Sequence, residues 1–304
     1  MAGDPEVAAA EREGRVRSPW RPERARVVAH ARRGAGWFKL TLHAPHTAGA
    51  ARPGQFVELA VLPAGHAGHD PLLKRPFSLC EIRPSTGEVT VVYRAAGRGT
   101  RALSAVPAGA ELDLLGPLGR SFPDPGRFVP GAAPRLLLVG GGIGIPPMVA
   151  AAAWAREAGR DVLALVGARS AGELAALDEL RATGVPVEVC TDDGSAGRRA
   201  LVTELLAGAL AGAASGGGPA AGGGEAAPPA EIWACGPEPM LIAVQRIARE
   251  AGAPAYLSVE RPMACGFGVC MACAIPRAAG PGYLHVCVDG PVFRAEEVRL
   301  GDGA

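Results

Sequence analysis

The chain of 304 residues is almost without lysine: only Lys39 and Lys74 occur, and the rest of its 31 basic residues are arginine. Neither sign of charge is in excess, because 30 acidic residues leave a net charge of +1. That balance excludes electrostatic attraction to nucleic acid or to an anionic membrane as the organising interaction. No apolar run approaches the roughly 18 residues of a membrane-crossing helix. The first residues, MAGDPEVAAAEREGRVR, carry charges and no apolar core, so no secretory leader is expected. The chain is read as soluble and cytoplasmic, with neither membrane nor nucleic acid as a partner. No Ser–His–Asp set and no pair of carboxylates can be assembled from the motifs, which leaves the demanding chemistry to cofactors. What is plentiful is Gly (43), Pro (28) and Ala. In so biased a composition an isolated glycine-rich match carries little weight.

Seven cysteines are present, an odd number that argues against a disulfide framework. Cys80, Cys190 and Cys235 stand singly; Cys80 and Cys190 read as core residues. The other four crowd the C-terminal region. Four residues separate Cys265 from Cys270, two separate Cys270 from Cys273, and thirteen separate Cys273 from Cys287. This C-x4-C-x2-C…C spacing is that of plant-type [2Fe–2S] centres. Two irons need four converging thiolates, three from one tight loop and the fourth from a following segment. Gly266 and Gly268 let such a loop turn and let backbone N–H groups approach the sulfurs. Structural zinc is the competing reading, but four-cysteine zinc sites pair two C-x2-C hooks and only one hook is here. His66 and His69, in a glycine-rich loop, are a weak metal pair at best.

The texture of the chain divides it. Residues 1–19 read as a disordered arm. Over residues 20–130, short β-like runs (RVVAHARR, WFKLTLHA, QFVELAVL, FSLCEI, EVTVVYRA, ELDLLG) alternate with Gly/Pro turns, and only one short helix is expected, at 100–105. This is the pattern of a small antiparallel barrel. Over residues 131–255, compact apolar strands alternate with helical stretches, which means a parallel α/β sheet whose ligands sit at the strand C-terminal ends. Its low-complexity segment 208–229 is expected to be a flexible insertion. Residues 256–304 form a third, small unit holding the four cysteines.

Two further motifs suit phosphate. In the barrel, Arg75-Pro76-Phe77-Ser78 and the strand end Val92-Tyr93-Arg94 precede Gly97-Arg98-Gly99-Thr100, which opens the short helix. Guanidinium forks beside the free N–H groups of a helix start suit a pyrophosphate. In the α/β region, Gly140-Gly141-Gly142-Ile143-Gly144-Ile145-Pro146-Pro147 joins a buried strand to a helix. It departs from G-x-G-x-x-G at Pro147, but its glycines allow a pyrophosphate to approach the backbone; a packing turn is the alternative. Cys235-Gly236-Pro237 ends the last sheet strand, where Cys235 is either a nicotinamide contact or a buried apolar residue.

The order RPFS, GGGIGIPPM, CGPEPML and CGFGVCMACAIP…CVDGPVF, spanning roughly residues 22–300, resembles the electron transfer subunits of NAD-linked dihydroorotate dehydrogenase within the ferredoxin-reductase-like flavoproteins. The resemblance implies three modules: a β-barrel FAD domain, an α/β NAD domain and a C-terminal [2Fe–2S] domain. It implies that Arg75, Pro76, Phe77 and Ser78 line FAD, that Val92, Tyr93 and Arg94 flank its ribityl chain and phosphates, and that Gly99 and Thr100 cap its pyrophosphate. Cys265, Cys270, Cys273 and Cys287 would hold the cluster, while Gly141, Gly142, Gly144, Cys235, Gly236 and Pro237 would receive NAD. The implied partner is an FMN-bearing catalytic subunit that oxidises dihydroorotate in pyrimidine biosynthesis, in a heterotetramer of two plus two. The arm and the 208–229 insertion lie outside the pattern. Arg169, in Gly167-Ala168-Arg169-Ser170, stands where a ribose 2′-phosphate can be met, which keeps NADP open. The alternatives are an NAD(P)H–ferredoxin oxidoreductase subunit of sulfur, hydrogenase or bifurcating metabolism, and a zinc-binding regulator without catalysis.

Overall fold

The computed structural model describes residues 13, 15–68, 70–128, 133–216 and 230–301. They form two compact units. One comprises the chain through Asp124 together with Glu260–Arg277 and Pro281–Val292; the other comprises Pro125–Val259, Ala278–Gly280 and the chain from Phe293 onward.

The first unit is built on seven antiparallel strands: β1 (Arg21–Arg32), β2 (Trp37–His43), β3 (Phe56–Leu59), β4 (Arg75–Ser78), β5 (Glu81–Arg83), β6 (Glu88–Arg94) and β7 (Glu111–Leu118). Their spatial order is β4-β3-β7-β1-β2-β6-β5. The two edge strands, β4 and β5, are neighbours in sequence. Between them Leu79 N donates to Gln55 O and Cys80 N donates to Thr90 O, so the sheet curls round on itself. Alternate residues fill the interior, as the two-residue period of a strand requires: Val57 and Leu59, Phe77 and Leu79, Val89, Val91 and Tyr93. Two short helices, α1 (Pro45–Ala50) and α2 (Arg98–Leu103), complete the barrel. The expected helix at 100–105 starts earlier because Thr100 Oγ1 accepts hydrogen bonds from Ala96 N and Gly97 N and closes the first turn.

The cysteine-bearing stretches Glu260–Arg277 and Pro281–Val292 cluster with this barrel in one compact unit. Arg120 N donates to Gly290 O, and Trp20 stacks on Phe267 with ring centroids 5.6 Å apart. Within the stretch expected to be a disordered arm, the described residues are ordered. Arg15 is buried, and its guanidinium donates to Glu13 and to Val292 O, while Val16 N donates to Ser121 Oγ. Residues 1–12 and 14 lie outside the described residues.

The second unit carries β8 (Arg135–Gly141), α3 (Ile145–Glu157), β9 (Val162–Ala168), α4 (Leu177–Ala182), β10 (Val187–Thr191), β11 (Arg198–Arg199), α5 (Val202–Gly216), β12 (Ala230–Cys235), α6 (Glu238–Glu250) and β13 (Ala255–Ser258). The chain then forms a small hairpin, β14 (Ala274–Pro276) and β15 (Tyr283–His285), before β16 (Val292–Arg294) joins the edge of the large sheet. Strand order β11-β10-β9-β8-β12-β13-β16 reverses direction between β8 and β12, and the pairs from β11 to β13 are parallel. The expected insertion is helical as far as Gly216, as the end of α5; residues 217–229 are outside the described residues. Under the sheet lies a buried ion cluster. Glu231, fully buried at the start of β12, accepts from Arg127 Nη2 at 2.5 Å and lies 3.7 Å from Arg160 Nη2. No helix among the described residues is long and apolar enough to cross a membrane.

Candidate cofactor sites

The four clustered cysteines fall into two pairs. Cys273 and Cys287 are buried with their sulfurs 3.2 Å apart, whereas Cys265 is half-buried and Cys270 exposed. Burial opposes ionisation of Cys265, but N–H groups of Cys270, Phe267 and Val269 turn toward its sulfur and bring its pKa down to about 6. Val269 N lies 3.4 Å from that sulfur. Cys273 is likewise lowered to about 6, chiefly by the Cys287 thiol, whose own proton is held more tightly because it bonds to the Cys273 thiolate. The loop reaches this shape through Gly266, whose φ is +78°. A Cβ there would lie 2.6 Å from Glu58 Cγ and 3.0 Å from Leu118 Cδ1, so glycine is required on both counts. Among the described residues no three His, Cys, Asp or Glu side chains converge on a single ion. One thiol of each pair, Cys265 and Cys273, has thiolate character, and N–H groups turn toward the Cys265 sulfur, a donor chemistry that suits an iron–sulfur centre.

The flavin motif lies on β4, paired with β3 so that Arg75 faces Leu59, Pro76 faces Glu58, Phe77 faces Val57 and Ser78 faces Phe56. Arg75 donates to Leu73 O at 2.6 Å and to Lys74 O at 3.1 Å, which holds its guanidinium against Gly99. A Cβ on Gly99 would sit 2.8 Å from Arg75 Nε. Arg75, Gly99 and Thr100 are thus brought together as expected. The two aromatic side chains are not. The Phe77 ring packs in the barrel core with its centroid 5.5 Å from that of Tyr93. The Tyr93 hydroxyl is committed to His30 Nε2 at 2.9 Å, and burial raises its pKa. The alternation of β6 explains this: Tyr93 points inward while exposed Arg94 points outward. Both rings therefore lie on the core face of the barrel.

In the second unit, β8 and β12 are adjacent, with Gly140 opposite Cys235. The two expected nucleotide motifs therefore flank the point where strand order reverses, the place at which open α/β sheets bind ligands. Residues Gly142–Gly144 form a single 3-10 turn and Pro146 and Pro147 begin α3. A Cβ on Gly144 would collide with the Cys235 carbonyl, so Gly144 packs the two turns together, while Gly142 faces open space. Cys235 itself is buried. Beyond them, exposed Arg169 follows β9, and Ala171 N donates to Ser195 Oγ, which in turn donates to Asp193 at 2.6 Å. Hydrogen bonds from Ser195 lower the Asp193 pKa. His66 is exposed and bonds within its own loop, and His69 is outside the described residues.

One residue escaped the sequence reading. Glu58 is 1% exposed, and burial first, then the neighbouring Cys265, push its carboxyl up to about 7 against the pull of Arg75 and Lys74. Its only signal is a lone acid within the apolar run QFVELAVL.

The family profile of the iron-sulfur cluster binding domain of dihydroorotate dehydrogenase B matches residues 260–299. The electron transfer subunit of dihydroorotate dehydrogenase B (NAD(+)) from Geobacillus thermodenitrificans is 38% identical over 280 residues, covering 91% of this chain and 98% of its own. That of Listeria monocytogenes is 36% identical, over 82% and 87%. Among solved structures, an NADH-dependent reduced ferredoxin–NADP oxidoreductase, described for flavin-based electron bifurcation, superposes with a TM-score of 0.72 at 29% identity, over 90% of this chain and 89% of that one. A ferredoxin reductase of carbazole 1,9a-dioxygenase shares the fold with a TM-score of 0.60 at 22% identity, over 79% and 69%.

Proposed function

Since the chain belongs to the family of electron transfer subunits of NAD(+)-linked dihydroorotate dehydrogenase B, we propose that it takes electrons from a partner subunit that oxidises dihydroorotate and delivers them to NAD+. The partner's centre is FMN, the assembly is two plus two, and the overall conversion is dihydroorotate and NAD+ to orotate, NADH and a proton. The observation that carries this reading is the cysteine loop folded in one compact unit with the R-P-F-S strand.

Cys265, Cys270, Cys273 and Cys287 hold a [2Fe–2S] cluster; Arg75, Gly99 and Thr100 hold the FAD pyrophosphate, with Pro76, Ser78, Val92 and Arg94 beside the rest of FAD; Gly141, Gly142, Gly144, Cys235, Gly236 and Pro237 receive NAD. When bound, such a cluster supplies one-electron transfer and a flavin links it to the two-electron chemistry of a nicotinamide. The protein's own contribution is preparation. Cys265 and Cys273 favour the thiolate form that metal ligation requires. Arg75 is held in place by two carbonyls before any phosphate arrives. The open face of Gly142 leaves room for a ligand to approach the backbone of the turn that precedes α3.

The test is an anaerobic assay of NADH absorbance with the purified chain, an FMN-type dihydroorotate dehydrogenase subunit, dihydroorotate and NAD+. NADH should form only when both proteins are present. A chain that carries FAD and a cluster yet never couples to a competent catalytic subunit would overturn the reading in favour of a ferredoxin-linked oxidoreductase subunit.

A further inference from the structure

The four clustered cysteines come from two stretches of chain, Cys265, Cys270 and Cys273 from one and Cys287 from the other. Both stretches belong to the barrel unit, and the segment that precedes β1 touches each of them. At one end of that segment Arg15 is 1% exposed. Its guanidinium donates to Glu13 at 2.9 Å and to Val292 O at 3.2 Å, five residues beyond Cys287. At the other end Trp20 stacks on Phe267, which lies between Cys265 and Cys270. Between these anchors the segment is tied to the barrel. Val16 N donates to Ser121 Oγ, Ser121 N donates to Val16 O, and Ser18 Oγ donates to Gln55 Oε1. Arg17 forms a backbone bridge with Arg120, which in turn bridges Pro291. Arginine is almost never fully buried unless paired. This one directs its charge at a carbonyl of the stretch that carries Cys287.

We propose that Arg15 and Trp20 are positioning residues for the iron–sulfur site, the two anchors of a strap that sets both halves of its ligand set against the barrel. The inference rests on the cysteine assignment proposed above and adds residues far from the cysteines in sequence. Thiolates from two stretches hold one cluster only while both stretches keep a fixed separation, and ordering loose chain when the metal binds costs conformational entropy. A strap that has already ordered both stretches removes that cost and slows escape of the metal. The anchors differ in kind. Hydrogen bonds from a buried guanidinium are charge-assisted and outrank neutral ones. The Trp20–Phe267 stack is exposed and contributes aromatic packing. Arg15 therefore carries the larger share. The strap's bonds to Val292, Ser121 and Gln55 are separate from those that hold Arg75 at Leu73 and Lys74, so flavin binding should survive its loss.

The test uses the full-length holoprotein. Iron, sulfide and flavin are first quantified in the wild type; a chain without iron and sulfide overturns the cysteine assignment, and the strap's role with it. Arg15→Met keeps the buried stem and removes the guanidinium hydrogen bonds. That variant, Trp20→Ala and Trp20→Phe are incubated anaerobically with an iron chelator, with iron release followed by absorbance and flavin release by fluorescence. The control is Arg24→Ala, which breaks exposed ion pairs with Glu111 and Asp113 on the same barrel. Arg15→Met should release iron about tenfold faster than the wild type, a barrier lower by about 1.4 kcal/mol. Trp20→Ala should release it roughly fivefold faster, and both variants should keep their flavin. Trp20→Phe, which can still stack, should lie near the wild type, as should Arg24→Ala. Release at the wild-type rate from either Arg15→Met or Trp20→Ala overturns the proposal, as does equal acceleration in Arg24→Ala. Loss of flavin in step with iron also overturns it, since the strap would then hold the whole unit and not the cysteine site. If Arg15→Met does not fold, Trp20→Ala, on the exposed stack, decides alone.

Discussion

Gly266→Ala puts a single methyl group where two separate constraints meet. The first is conformational: at φ +78° an L-residue pays roughly 1–2 kcal/mol for the left-handed region. The second is steric, because the new Cβ would stand 2.6 Å from Glu58 Cγ and 3.0 Å from Leu118 Cδ1. Overlap of this kind in a packed setting costs about 1–3 kcal/mol. Together they weaken the native loop by about 2–5 kcal/mol. Gly280 supplies the comparison, since its φ is +75° but a Cβ there would meet nothing within 4 Å. Gly280→Ala should therefore show only the conformational part. The assay is the iron and sulfide content of each purified variant, followed by loss of visible absorbance on heating. Gly266→Ala should lose much of its cluster and bleach at a clearly lower temperature, with Gly280→Ala close to the wild type. Equal loading and equal bleaching in the two variants would refute the claim that the cysteine loop is seated on Glu58 and Leu118.

Other perturbations separate structural from ligand-facing roles. Glu231→Gln leaves Arg127 and Arg160 without their buried counter-charge and should cost about 3–5 kcal/mol, whereas Arg135→Ala, which breaks an exposed pair with Asp161, should cost about 0–1 kcal/mol; thermal melts of the two variants should differ accordingly. Gly144→Ala should force the two nucleotide turns apart, weakening NADH binding in a dye-reduction assay at least tenfold, in the spirit of about 1.4 kcal/mol per decade, with flavin and iron content unchanged. Tyr93→Phe removes the hydrogen bond to half-buried His30 Nε2 and should cost about 0.5–1.5 kcal/mol. Because the hydroxyl faces the core, FAD content should be unaffected; loss of flavin would show that Tyr93 reaches the cofactor after all.

The readable parts of this protein were those in which chemistry imposes a local spacing. Four thiolates for two irons leave a signature over 23 residues, and a β-turn-α unit announces itself through an apolar run ending in glycines. Strand periodicity placed the barrel, and its alternation also held the answer for Phe77 and Tyr93. Only the direction of that alternation was missing, because the side of a strand that faces the core depends on what it pairs with. Contacts between distant segments are less legible for a related reason. The cysteine segment has its own composition and reads as a module, but its contacts with the barrel through Gly266 and Gly290 are not written in that composition. The arm reads as polar and structureless, yet Arg15 is buried through bonds to residues far away in the chain.

By itself, then, the order of residues determined the two sheets, the spacing of the four clustered cysteines and the kinds of cofactor each motif suits, since all of these follow from local backbone geometry and side-chain chemistry. Tertiary structure alone decided which motifs meet. Gly140 lies beside Cys235 because strands distant in sequence pair at the reversal of the sheet. Arg75 rests on Gly99 because β4 closes the barrel. Glu58, an ordinary letter in an apolar run, became a buried, unpartnered acid because a loop some two hundred residues later folds over it, and burial of a charge is a property of its surroundings and not of its neighbours in the chain.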